Sequence, residues 1–237
     1  MANTETEGFE VTQEDGFSRI ALDNPPRNLL DPRIMAALRG AILEADADES
    51  VKAIVLTGSG DLFCGGLDIA QIQAGANPVD FAAGLVDLLR VLPGLGKPFI
   101  AAVNGDALAS GYSLACAADI AIAVEGARLG TLEATVGIWP MIAQVPALQR
   151  LQVRHAIENI LTGEPFDAAR ALQIGVVNRV VPVASLWDEV RRWVEMSTRA
   201  GAALPAGRRA FYRFADMSYD DALTASLDEF RRMFEGG

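Results

Sequence analysis

The chain has 237 residues, 51% hydrophobic and 22% charged, enough length and apolar content for a packed core and too much for a disordered chain. With 20 Lys+Arg against 31 Asp+Glu the formal net charge is −11, which speaks against a broad nucleic-acid face, because excess acid repels phosphate. One His and two Cys mean that a Ser-His-Asp triad would have to use His155, and a thiolate/imidazole zinc site nearly every such ligand in the chain.

Residues 9–23 predict a β-hairpin with its turn at Glu14-Asp15-Gly16. Asp31-Pro32 is a helix start, an Asp cap with Pro at the first helical position, and Ile34, Leu38, Ile42 and Leu43 follow on one apolar face. Residues 53–57 (AIVLT) read as a short strand ending in the loop GSGDLFCGGLD. A helix follows Pro78, with Phe81, Leu85, Leu88, Leu89 and Leu92 spaced for one face. The unit then repeats as a strand over 98–103, the loop NGDALASG and a helix through Leu114 to Ala118. A strand at 119–124 leads into ARLGTLEATVGIWPM, then helices near 141–150, 153–162 and 167–173. VVNRVV is a strand, and 184–200 and 205–235 are helical. This alternation predicts an α/β fold with a largely parallel, doubly covered sheet. The division expected is a core over 1–195 and a C-terminal helical region over 196–237.

Cys64 and Cys116 form no CxxC pair and read as two reduced, buried thiols of a cytoplasmic protein. The opening MANTETEGFE is polar and acidic, unlike a secretory leader. No run approaches the roughly 18 apolar residues of a membrane span, so no membrane partner is expected.

Two glycine-containing loops, GSGDLFCGGLD and NGDALASGYS, follow the C-terminal ends of apolar strands. In an open α/β sheet ligands bind at that edge. Glycines there let peptide N–H groups approach a ligand, and two such loops together can form an oxyanion hole. The alternative is that the glycines only make tight turns. A dinucleotide fingerprint fails, because Gly58-Ser59-Gly60 is followed by Phe63 where a third glycine is required.

At three blocks, LTGSGDLFCGGLDI, KPFIAAVNGDALASGYSLACAADIAIA and LTGEPFDAARALQIGVVNRVVP, the sequence resembles the enoyl-CoA hydratase/isomerase (crotonase) family. The blocks stand in family order, and the resemblance covers nearly the whole chain. It implies a spiral of ββα units, an oxyanion hole for a thioester carbonyl, and a homotrimer or dimer of trimers. It also implies an acyl-CoA thioester substrate, with no cofactor beyond the coenzyme A carried by that substrate.

Position by position, the first oxyanion donor corresponds to the Leu67 N–H, between Gly66 and Asp68, and the second to the Ser110 N–H, before Gly111. Family hydratases use two Glu side chains around one water. Glu133, in Ala127-Arg128-Leu129-Gly130-Thr131-Leu132-Glu133, matches one of them, and Ser113 stands where the other is expected. A hydroxyl holds water but does not take a proton at pH 7 as a carboxylate does. The resemblance therefore favours the family's isomerase chemistry, in which one carboxylate shuttles a proton beside an oxyanion hole. Hydration with Ser113 orienting water, and a non-catalytic acyl-CoA binder or scaffold, are the alternatives.

Arg27 matches a basic position near the CoA phosphates, or is a solvated surface Arg; as a phosphate contact it would form a local basic patch on an acidic protein. Asp68 reads foremost as a helix cap, and Asp106 and Asp119 as caps or turn residues. Trp139, with Met141, Ile142 and Ala143, reads as shaping an acyl pocket or as core packing. His155 reads as an exposed or interface residue on a helix whose apolar face is Ile157, Ile160 and Leu161. Family chains commonly end in a segment that reaches the CoA site; this sequence ends at Phe234-Glu235-Gly236-Gly237, and no contact from such a segment is carried over.

Overall fold

The hairpin forms where the alternation places it. A short strand β1 (Thr4–Thr6) pairs antiparallel with β2 (Gly8–Glu14), and β2 pairs antiparallel with β3 (Phe17–Asp23). The register from Gly8↔Asp23 to Glu14↔Phe17 leaves Asp15-Gly16 as the turn, a dipeptide suited to a two-residue hairpin loop. The structure, a computed structural model, describes residues 4–6 and 8–235. Residues 1–3, 7, 236 and 237, and with them parts of the N- and C-terminal stretches discussed above, lie outside the described residues.

Helix α1 (Pro32–Ala47) begins at the predicted cap: the Asp31 carboxylate accepts from the Ile34 N–H at 2.8 Å. Its buried face is Ile34, Met35, Leu38 and Ile42, whereas Leu43 is 43% exposed, one step off the stripe.

Three ββα units follow. The first is β4 (Ala53–Gly58), β5 (Leu62–Cys64), α2 (Ile69–Gln73) and α3 (Pro78–Val91). The second is β6 (Phe99–Val103), β7 (Asp106–Leu108) and α4 (Ser110–Ala117). The third is β8 (Ile120–Val124), β9 (Arg128–Gly130), α5 (Gln144–Arg150) and α6 (Val153–Thr162). The chain continues through β10 (Phe166–Asp167), α7 (Ala168–Ile174), β11 (Arg179–Val181), α8 (Leu186–Ser197), α9 (Leu204–Ala215) and α10 (Tyr219–Glu235).

A seven-stranded sheet has the order β1-β2-β3-β4-β6-β8-β11, and a four-stranded sheet the order β10-β9-β7-β5. Each unit puts its first strand in the large sheet and its second in the small one. From β3 to β11 the large sheet is parallel. All residues of β4 and β6 are buried, which explains their unbroken apolar runs. The small sheet is the main departure from the sequence-based expectation, which places β5 and β7 inside loops. Three residues are too few for hydropathic alternation to register.

The C-terminal helices are tied to this core by one buried charge. Arg208 of α9 is 8% exposed. Its Nε–H donates to Asp119 Oδ2 at 2.8 Å and its terminal nitrogens to Leu95 O (2.6 Å) and Leu92 O (2.9 Å). Asp119 also accepts from the Phe99 N–H at 2.7 Å, so both charges are paired and hydrogen-bonded, as burial requires. Helix α10 packs on α9 and leaves Leu223, Leu227, Phe230 and Phe234 exposed. Among the described residues no helix is long and apolar enough to cross a membrane.

Candidate active site

In the small sheet β5 pairs parallel with β7, and β7 with β9, through Cys64↔Ala107 and Leu108↔Gly130. Parallel pairing sends all three strands to one edge at their C-terminal ends. From that edge run Gly65 to Asp68, Ala109 to Gly111, and Thr131 to Glu133. The residues singled out in three separate stretches of sequence thus leave one sheet edge side by side, the place where α/β sheets bind ligands.

The first loop is pinned by backbone. The Gly65 N–H donates to Arg27 O, the Leu30 N–H to Gly66 O, and the Asp68 N–H to Leu30 O, each at 2.9 Å. Leu67 therefore bridges Leu30 in parallel fashion, and the alternation of a strand turns its own N–H away from Leu30. Among the described residues that N–H has no acceptor. Gly66 has φ +104°, and a Cβ there would lie 2.8 Å from Ala109 Cβ and 3.7 Å from Ser110 N. The two loops touch at Gly66, and only glycine fits.

In the second loop the strain falls on Ala109, with φ +50° and ψ −114°, a conformation costing about 1–3 kcal/mol without glycine. Its N–H donates to Gly130 O at 2.9 Å, which holds it against β9. Ser110 opens α4, is not among the residues with positive φ, and its N–H has no intrahelical acceptor and no other acceptor among the described residues. Serine in place of glycine is thus compatible with the donor geometry. A Cβ at Gly111 would sit 2.5 Å from Cys64 O, so glycine there lets α4 close onto β5.

Glu133 starts a short 3-10 turn, Glu133–Val136, and is half-buried. Its Oε2 accepts from the Leu132 N–H at 2.8 Å. Ser113, in contrast, is fully buried: its hydroxyl donates to Ala143 O at 3.0 Å, with Ala109 O at 3.3 Å. The structure brings Leu67, Ser110 and Glu133 to one edge and places the Ser113 hydroxyl behind it, engaged with backbone.

The flanking residues sort by exposure. Arg27 is exposed beside the first loop, with its Nε 3.1 Å from where a Gly65 Cβ would be, and it makes no ion pair among the described residues. Asp68 caps α2, accepting from the Ala70 N–H at 3.1 Å and the Gln71 N–H at 3.3 Å. Asp106 accepts from the Arg128 N–H at 2.9 Å and its Nε–H at 3.0 Å. Of the two readings for the 139–143 stretch, core packing holds for Ile142 and Ala143, while Trp139 and Met141 are exposed. The Trp139 indole N–H donates to Gln144 Oε1 at 3.0 Å. His155 stands with Arg170 and Glu158 on the outer side of α6. Both thiols are free and fully buried, and burial pushes Cys64 and Cys116 up to about 12, so both stay neutral.

Two features of the structure have little or no signature in the sequence. On α6 the buried residues are Ala156, Asn159 and Ile160, whereas Leu161 is 61% exposed. A polar residue flanked by an apolar pair at helical spacing was the only signal for Asn159. A cleft of about 540 Å³ also opens between Gly58 to Asp61, Asn104 to Asp106, Glu125 and Trp187. None of Leu67, Ser110 and Glu133 lines it, so the candidate site is the open sheet edge and not this cleft.

Residues 12–236 match the family model described as enoyl-CoA hydratase/isomerase. Over 211 residues the chain is 33% identical to a carnitinyl-CoA dehydratase of Salmonella enteritidis, covering 88% of this chain and 81% of that protein. The carnitinyl-CoA dehydratase of Proteus mirabilis is 32% identical over the same shares. Among solved structures, an enoyl-CoA hydratase of Mycobacterium smegmatis superposes with a TM-score of 0.89 at 29% identity, over 94% of this chain and 89% of that one. An enoyl-CoA hydratase/isomerase family protein from Silicibacter pomeroyi gives 0.89 at 28% identity, over 96% and 98%.

Proposed function

The chain belongs to the enoyl-CoA hydratase/isomerase family, and from that premise we propose that it isomerises enoyl-CoA thioesters through an enolate, with Glu133 as the single acid/base. One observation carries this reading: two peptide N–H groups without an acceptor among the described residues, Leu67 and Ser110, leave the same sheet edge as one carboxylate, Glu133.

The chemistry follows from those groups. With a 3-enoyl-CoA, the Glu133 carboxylate takes a proton from the carbon next to the thioester carbonyl. The electron pair moves onto the carbonyl oxygen, where the Leu67 and Ser110 N–H groups stabilise it; one such donor contributes about 10²–10³ in rate. Protonated Glu133 then returns the proton two carbons further on, and the double bond shifts into conjugation. No atom is gained or lost, and no second carboxylate is needed. The engaged, buried Ser113 hydroxyl supports this over hydration, which needs a positioned water.

Arg27 supplies positive charge for the CoA phosphates, and Trp139 with Met141 forms the apolar rim for the acyl chain. No cofactor beyond the substrate's coenzyme A is invoked. The reading includes a cytoplasmic setting, supported by two unpaired buried thiols. It also includes a homotrimer or dimer of trimers, supported by the exposed apolar face of α10.

A second reading, hydration or dehydration of an acyl-CoA with Glu133 alone, is favoured by the relatives named carnitinyl-CoA dehydratase. Thioester absorbance separates the two. Isomerisation predicts that a 3-enoyl-CoA gains conjugated absorbance while a 2-enoyl-CoA is stable. Fast loss of the 2-enoyl absorbance, unchanged in Glu133→Gln, would overturn both the isomerase reading and the role of Glu133.

A further inference from the structure

Asn159 is the polar member of the buried face of α6, and both it and Thr131 are fully buried. Its Oδ1 accepts from the Thr131 N–H at 2.7 Å and from the Thr131 hydroxyl at 2.9 Å. Its Nδ2 donates to Thr131 O at 3.1 Å and to Glu164 O at 2.9 Å. The carboxamide thus uses both donors and both lone pairs, and three of these bonds grip one residue.

The position of that residue gives the grip its meaning. Thr131 follows Gly130, whose carbonyl holds the Ala109 N–H and with it the loop presenting Ser110. Two residues beyond Thr131 stands Glu133. The same helix makes a second contact with this turn: a Cβ at Gly163, just past the end of α6, would lie 2.8 Å from Thr135 Cγ2. One side chain therefore fixes the segment that joins the oxyanion loop to the carboxylate.

We infer that Asn159 is a positioning residue that holds Glu133 in register with the Ser110 and Leu67 N–H groups. The inference rests on the reading of Glu133 as acid/base. Proton transfer is sensitive to such placement, since a misplacement of about 1 Å costs on the order of 10²-fold in rate. A clamp that filled space alone would not need to bind the N–H, the carbonyl and the hydroxyl of the same residue.

The test follows exchange of the α-proton of a saturated acyl-CoA in D2O, at saturating ligand and as a function of its concentration. Asn159→Leu is expected to lower the maximal rate about 10²-fold, with half-saturation nearly unchanged. Thr131→Val, a milder change that carries the test if Asn159→Leu does not fold, is expected to lower it about tenfold. Thr131→Ser keeps the hydroxyl and is expected to restore the rate. In a Glu133→Gln background neither Asn159→Leu nor Thr131→Val should lower the residual exchange further, because the group they position is already gone. Folded variants that exchange at the parental rate would overturn the inference. So would an equal loss with and without the Glu133 carboxylate. If Glu133→Gln alone exchanges like the parent, the acid/base reading itself fails and the positioning role falls with it.

Discussion

The large and the small sheet draw on the same three ββα units and do opposite work. In the large sheet β4 and β6 bury every residue, and even Thr57 turns its hydroxyl inward, donating to Ala102 O at 2.8 Å. The small sheet has strands of three residues or fewer, too little area for a core of its own. Its contribution is alignment: it brings three loop beginnings level, so that the Leu67 and Ser110 N–H groups, without acceptors among the described residues, share one edge with the Glu133 segment. Strain is carried there as well, at Ala109, and it persists because Gly66, Gly130 and α4 close in around it. In the proposed mechanism stability and chemistry are thus separated by sheet, within units that repeat in sequence.

That separation can be broken from either side. Phe99→Ala, in the fully buried centre of the large sheet, should cost about 3–5 kcal/mol of stability. Denaturant melts would register it, while turnover per folded molecule stays at the parental value. Gly66→Ala should do the reverse. The new Cβ meets Ala109 at a residue with positive φ, tilting the Leu67 N–H; turnover should fall about 10²-fold or more, with more than about 1 kcal/mol lost in stability. A large unfolding effect with unchanged turnover in Gly66→Ala would erase the distinction. The smallest effect is expected outside both sheets. Arg27→Ala should raise KM for a CoA ester several-fold, and the difference should shrink in high salt, since the guanidinium is exposed and screened.

The same contrast explains what could be read in advance. The hairpin, the Asp31 cap and the apolar strands of the large sheet announce themselves through turn chemistry, capping and continuous burial, which are local signals. Leu67, Ser110 and Glu133 carry no such signal, because a backbone N–H has no residue type and one acid resembles the other Asp and Glu residues of the chain. Their grouping was legible only through the resemblance of whole blocks to a family. The small sheet was missed because its order is tertiary: β5, β7 and β9 exist by pairing with one another. Asn159 was missed for a related reason, since its partner Thr131 lies 28 positions earlier in the chain. Ser113 shows the limit in the other direction. The sequence shows a serine where the resemblance expects a carboxylate, but carries no sign that this hydroxyl is buried and bonded to Ala143 O.

In the proposed mechanism the Leu67 and Ser110 N–H groups and the Glu133 carboxylate serve one thioester. A crystal structure with a bound saturated acyl-CoA tests it most directly. The thioester oxygen is expected at about 2.7–3.1 Å from both nitrogens, with a Glu133 oxygen about 3–3.5 Å from the α-carbon. A thioester seated instead in the cleft beside Trp187, with the Leu67 and Ser110 N–H groups unused, would contradict it.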